Sequence, residues 1–322
     1  MQARVLTLSL CLLAMPVLRS NAQQLTLPLW PHGTPEPPQT TKSEDDNGVP
    51  VSTLPADHHM LSLSNVTVPT LSLYVPQNAN GAAVVVFPGG GYVHLAWTKE
   101  GTDTCDWLNA IGVTCVLVKY RVPEPHYPDS HADLEDAQQA IRLTRQHAEA
   151  WHIDPKRVGV LGYSAGGNLA ALLSLYPNDH HVDGTKAAAD VPGVHGRLNG
   201  RTMLTDPLDA KPDFTILVYP AYLAIDPAQV TLHPIYTPSA NTPPTFVTAA
   251  ENDTTYGRNA LVYYRALLEA GVPAELHFYP TGGHGFGVHP NGPPGDWTQL
   301  ATRWMQLQGI IPDKIEAADA SR

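Results

Sequence analysis

One hexapeptide constrains this chain more than any other: Gly162-Tyr163-Ser164-Ala165-Gly166-Gly167, a G-x-S-x-G pattern with one further glycine. It follows the apolar run Val158 to Leu161 and precedes the helical run Asn168 to Leu175. A buried strand must turn sharply into a helix there, and glycines on both flanks let the backbones pass without Cβ collisions. The serine is then held at the tip of the turn, hydroxyl outward, with a helix N-terminus beneath it. A bare pentapeptide match also occurs at ordinary tight turns. The strand before it and the helix after it make Ser164 a candidate nucleophile.

Two other segments bear on that reading. Ala82 to Phe87 is a continuous apolar run of the kind a central parallel strand shows, and Pro88-Gly89-Gly90-Gly91-Tyr92 follows at once. Successive glycines expose N–H groups and permit close approach of a ligand. A tetrahedral intermediate needs such donors for its oxyanion, and Gly90, Gly91 and the N–H of Ala165 are assigned to that task. Gly282-Gly283-His284-Gly285-Phe286-Gly287 follows the strand-like Ala274 to Tyr279. A histidine flanked by glycines has no apolar face to fill, so His284 is a candidate base. Asp253 follows the strand-like Pro244 to Ala249 and is the candidate acid, with Glu251 as its rival. The order Ser164, Asp253, His284 is the one expected of an α/β-hydrolase.

The first 22 residues read as a secretory signal peptide: Arg4, an apolar stretch from Val5 to Leu18, and the small residues Ser20 and Ala22 ahead of cleavage. No later run is apolar enough to span a bilayer, so a secreted or periplasmic product without stable membrane association is expected. Nineteen basic against 30 acidic residues, with no Lys/Arg cluster, argue against nucleic acid or anionic lipid and suit a neutral substrate. Export permits a disulfide between Cys105 and Cys115, but neither spacing nor count requires one, and each also fits as core filler. The 15 histidines include the pairs His58-His59 and His180-His181, yet no H-E-x-x-H or Cys/His ligand spacing occurs. No metal or other cofactor is expected.

Strand and helix patterns alternate along the chain, as in an α/β fold with a mostly parallel central sheet and helices on both faces. Residues 23–60, rich in Pro, Thr and charge, read as an extended arm pinned by Trp30. Residues 61–313 form one catalytic domain, and 314–322 a loose tail. Within the domain, Leu61 to Val75 reads as one or two edge strands. Helices are expected over Thr102 to Ala110, Asp133 to Trp151, Tyr256 to Ala270 and Trp297 to Leu307. Residues 178–211 break the rhythm, either as an insertion over the active-site side or as a plain surface loop. Tyr92, Trp97 and Tyr163 lie close in sequence to the proposed machinery and are candidates to stack on a substrate ring, with pocket wall or core as the alternative.

The chain resembles the bacterial α/β-hydrolase esterases related to acetylxylan esterases, within the group that includes hormone-sensitive-lipase-like and feruloyl-esterase-like enzymes. The resemblance runs from Leu29-Trp30-Pro31 through the glycine loop, Tyr120-Arg121-Val122-Pro123, the serine turn and Lys211-Pro212-Asp213-Phe214. It continues through Pro243-Pro244-Thr245-Phe246 and Gly271-Val272-Pro273-Ala274-Glu275-Leu276-His277 to the His284 loop. It implies hydrolysis of acetyl or other short acyl esters, often on plant-polysaccharide sugars, without a cofactor, and it puts the nucleophile, acid and histidine on Ser164, Asp253 and His284. There are departures. Pro88 stands where lipase-like relatives carry His, Asn168 where many relatives have His, and Asn252-Asp253-Thr254 replaces an Asp-Asp-Pro arrangement.

Overall fold

The computed structural model describes residues 23–54, 60–123, 131–178, 209–226, 230–289 and 294–313. The expected signal peptide, residues 179–208 of the expected insertion and the tail from 314 lie outside them. Eight strands form the main sheet: β1 (Gln23–Pro28), β2 (Thr70–Val75), β3 (Ala83–Phe87), β4 (Thr114–Lys119), β5 (Val158–Tyr163), β6 (Thr215–Val218), β7 (Thr245–Ala250) and β8 (Ala274–Tyr279). Their spatial order is β1-β2-β4-β3-β5-β6-β7-β8. From β4 to β8 every neighbouring pair is parallel, whereas β2 runs antiparallel to both β1 and β4.

The central strands are apolar on both faces because helices cover both faces. Val84, Val85 and Val86 on β3 and Val116, Leu117 and Val118 on β4 are fully buried. The helices are α1 (Asp103–Ala110), α2 (Ala132–Gln146), α3 (Ser164–Leu175), α4 (Gly257–Glu269) and α5 (Trp297–Leu307). On α2, Leu134, Ala137, Ala140 and Ile141 recur at helical spacing and are all buried. Cys105 on α1 and Cys115 on β4 form a disulfide with Cα atoms 5.2 Å apart, which resolves the alternative that the sequence left open.

The N-terminal segment differs from a simple arm. β1 pairs with β2 along its whole length, Gln23 opposite Val75 and Pro28 opposite Thr70, so β1 is the sheet edge and β2 is not. Trp30 does act as a pin. Its indole Nε1 donates to Asp136 Oδ1 at 2.7 Å. The same carboxylate receives Arg121 Nε and Nη2, both at 2.9 Å, and the Arg121 backbone N–H at 3.0 Å. Arg121 Nη1 donates to the Glu36 carbonyl at 2.8 Å, so one buried ion pair ties the arm to α2 and to the loop after β4. Burial pushes the Asp136 carboxyl up, and Arg121 opposes that rise. Removing one member of such a pair leaves an uncompensated buried charge, so Asp136→Ala should cost about 3–5 kcal/mol, read from denaturant unfolding. A loss below about 1 kcal/mol, the value of an exposed pair, would mean that the contact does not anchor the arm.

Candidate active site

The serine turn is built by exclusion. Ser164 opens α3 with φ +51°, a backbone conformation that costs a non-glycine residue strain. A Cβ at Gly162 would strike the Gly166 carbonyl, and one at Gly166 would strike the Phe87 carbonyl of β3. No other residue fits at either place, which explains the spacing of the two glycines around the serine.

Ser164 Oγ lies 2.8 Å from His284 Nε2, and His284 Nδ1 lies 2.6 Å from Asp253 Oδ2. An ionised carboxylate only accepts, so Nδ1 carries the proton and Nε2 is left to accept from the serine hydroxyl. Burial alone would raise the Asp253 carboxyl, but hydrogen bonds from His284 and the Tyr256 N–H outweigh it and hold the group below the usual carboxylate range. The rival, Glu251, is exposed, and the contact to the imidazole is made by Asp253. Asn252 steadies the same loop pair, its Oδ1 accepting from Gly283 N–H at 2.8 Å. The strands β5, β7 and β8 thus deliver the three groups from their C-terminal ends, where open parallel sheets gather their functional loops.

The glycine loop after β3 lies against the serine. A Cβ on Gly89 would sit 2.8 Å from Ser164 Cβ. Gly90 and Gly91 have φ +134° and +65°, and a side chain at Gly90 would collide with the His94 carbonyl. Ala165 follows Ser164 in the first turn of α3. Backbone N–H groups at such a helix start point along the positive end of the helix dipole.

Of the two readings open for Tyr92 and Tyr163, their burial agrees with packing. Tyr163 is fully buried, its hydroxyl 2.8 Å from Thr104 Oγ1 and its ring against Tyr219 and Trp297. Tyr92 is 5% exposed, with its hydroxyl committed to Asn168 Oδ1 at 2.7 Å. Both side chains are packed beneath the loops. Trp97 opens the helical turn Trp97–Thr102 and is half-buried against the core. The rings beside the imidazole are others. Tyr256 lies 4.9 Å from His284 and Tyr219 5.1 Å from it, centroid to centroid. Tyr222 packs on Tyr256 at 5.4 Å and on Tyr92 at 6.2 Å, completing an arc from the glycine loop to the histidine. Burial, with the hydrogen bond to Tyr256, pushes the Tyr222 hydroxyl up to about 12. These tyrosines sit in stretches without motif character; the only signal was their position just past the ends of β6 and β7.

Buried Glu100 was also missed. Its Oε2 accepts from Gly89 N–H at 2.7 Å and its Oε1 from the Tyr219 hydroxyl at 2.8 Å. Among the described residues, no three His, Cys, Asp or Glu side chains gather where they could hold a metal ion. No helix there is long and apolar enough to cross a membrane.

This sheet order and these convergent loops define a fold class, and comparison agrees with it. The chain belongs to the alpha/beta hydrolase fold family, whose model matches residues 84–288. An acetylxylan esterase of Xylanibacter ruminicola is 30% identical over 272 residues, covering 77% of this chain and 49% of that protein. The chain therefore spans about half the length of that relative. A Mycobacterium tuberculosis carboxylesterase is 30% identical over 227 residues, 64% of this chain and 67% of its own. Among solved structures, an acetyl ester-xyloside bifunctional hydrolase from Caldicellulosiruptor lactoaceticus superposes with a TM-score of 0.62 at 29% identity, covering 89% of this chain and 97% of that one.

The geometry ranks the two candidate acids. Asp253→Asn would leave the imidazole in the wrong tautomer and should lower turnover of an activated ester by roughly 10⁴-fold. Glu251→Gln should leave it near the parent rate. The reverse ranking in steady-state kinetics would show that the 2.6 Å contact is not the functional one.

Proposed function

We propose that the protein is a serine-type carboxylic-ester hydrolase working through an acyl-enzyme. The observation that carries this reading is the Ser164–His284–Asp253 hydrogen-bond relay on a strained strand-to-helix turn. Ser164 Oγ attacks the acyl carbon while His284 takes its proton. The tetrahedral oxyanion is met by the N–H groups of Gly90, Gly91 and Ala165. The carbon–oxygen bond to the alcohol breaks, and the alcohol leaves with the proton from the imidazolium. Water then attacks the acyl-serine, its proton passing to His284 and on to Ser164, and the carboxylic acid is released.

The substrate we propose is a short acyl ester, foremost acetyl, on a carbohydrate such as a xylan fragment. Relatives named for acetylxylan and acetyl ester-xyloside hydrolysis support this choice, as do the acidic net charge of −11 and the expected export signal in residues 1–22, which favour a neutral substrate outside the cytoplasm. The arc of Tyr222 and Tyr256 beside His284 favours a second reading, an ester with an aromatic acid such as a feruloyl sugar. A third reading, a carbohydrate-binding protein of the same fold without catalysis, requires the relay to be incidental.

A panel of acetyl, butyryl, octanoyl and feruloyl esters separates these. Acetyl should be fastest, and Ser164→Ala should abolish turnover of all four. Preference for feruloyl would select the second reading, and sugar binding with no turnover would select the third. The pH profile gives an independent check. An imidazole must be neutral to accept the serine proton and its reference value is about 6.5. Asp253 is held below the ordinary carboxylate range and so stays ionised across that region. kcat/KM for an acetyl ester should fall on the acid side with one dominant titration. A flat profile from about pH 4 to 9 in folded protein would exclude histidine as the base.

A further inference from the structure

We infer that Glu100 is a positioning residue that locks the oxyanion loop and the histidine loop into one register. The inference rests on the hydrolytic reading above. Glu100 lies in the helical turn Trp97–Thr102, directly after the glycine loop, and is 5% exposed. Its carboxylate joins three loops. Oε2 takes the N–H of Gly89, a position where an added Cβ would strike Ser164. Oε1 takes the hydroxyl of Tyr219, the residue just past β6, which has φ +38°. Tyr219 Oη in turn accepts from Gly287 N–H at 3.1 Å, three residues past His284, while its ring lies edge-on to the imidazole.

The arrangement has two consequences. The Gly89 N–H points at a buried carboxylate and is withdrawn from the donors that could meet an oxyanion, leaving that task to Gly90 and Gly91. The donor loop and the base loop are also linked through Glu100 and Tyr219, so neither can shift without breaking a hydrogen bond of one buried chain, two links of which are charge-assisted. Burial pushes the Glu100 carboxyl up, and the hydrogen bonds from Tyr219 and Gly89 oppose this. A carboxylate is expensive to bury unless it is hydrogen-bonded, and each oxygen of Glu100 accepts one bond from a loop of the site. Around the carboxylate stand the hydroxyls of Tyr219, Tyr163 and Tyr120, the Lys99 ammonium and His284. His284 itself is faced by Asp253, Glu100, Tyr219 and Tyr256.

The test compares Glu100→Gln, Tyr219→Phe and the double variant in the full chain, with Ser164→Ala alongside. Glu100→Gln keeps the shape but loses the charge and one acceptor. It should lower kcat by about 10²-fold, the scale of a small misplacement of catalytic groups, with KM little changed. The double variant should be no slower than the slower single, since the two residues act as one unit. Parent-like kcat in Glu100→Gln, a loss confined to KM, or additive losses would overturn the inference. Should Glu100→Gln fail to fold, the kcat loss at constant KM in Tyr219→Phe carries the test. Turnover persisting in Ser164→Ala would instead overturn the hydrolytic reading itself.

Discussion

Everything at this site depends on a turn with no room for side chains. Where β5 becomes α3, Gly162 faces the carbonyl of Gly166, and Gly166 faces the carbonyl of Phe87 on the neighbouring strand β3. Ser164 between them is held at positive φ. A non-glycine residue in that region costs about 1–3 kcal/mol, which persists only where the surroundings over-determine it. Here they do: β5 lies inside the sheet, paired with β3 on one side and β6 on the other, and α3 is almost wholly buried behind it. The rigid strand pair sets the position of the hydroxyl, and the helix start behind it supplies the N–H of Ala165.

The rest of the site follows from parallel topology. Strands that run the same way end on the same side, so the loops after β3, β5, β6, β7 and β8 converge without any long excursion. Each contributes a different chemical type: glycine N–H groups, a hydroxyl, tyrosine rings, a carboxylate and an imidazole. Such loops need something to fix their mutual distance, since loop backbone is the mobile part of a fold. Buried polar side chains do this. Asn168 on α3 ties Tyr92 to Tyr236, and Glu100 ties Gly89 to Tyr219.

Much of this was legible in the sequence, for identifiable reasons. β3, β4 and β5 show unbroken apolar runs because both their faces are covered, and α2 and α4 carry clear apolar stripes. Ser164, Asp253 and His284 stood out because each sits in a backbone setting that packing alone does not call for. What local sequence does not report has causes of equal clarity. Tyr163 and Tyr92 adjoin the machinery in sequence, and of their two readings the structure favours packing, with both rings buried. Tyr222, Tyr256 and Glu100 reach the site only through tertiary contact, a link that no local period reports. β1 looks like an arm in sequence because Trp30 and the prolines after it dominate the composition, while its pairing with β2 spans more than 40 residues of chain.

The proposed hydrolysis requires that Ser164 be covalently acylated by an ester whose alcohol then departs. Rapid acid quench of the protein during turnover of an acetyl ester, followed by proteolysis and mass spectrometry, reads this directly. An acetyl group is expected on the peptide containing Ser164, absent in Ser164→Ala and accumulating when deacylation is slowed. Sustained ester turnover with that peptide never modified, or with the acyl group on another residue, would contradict it.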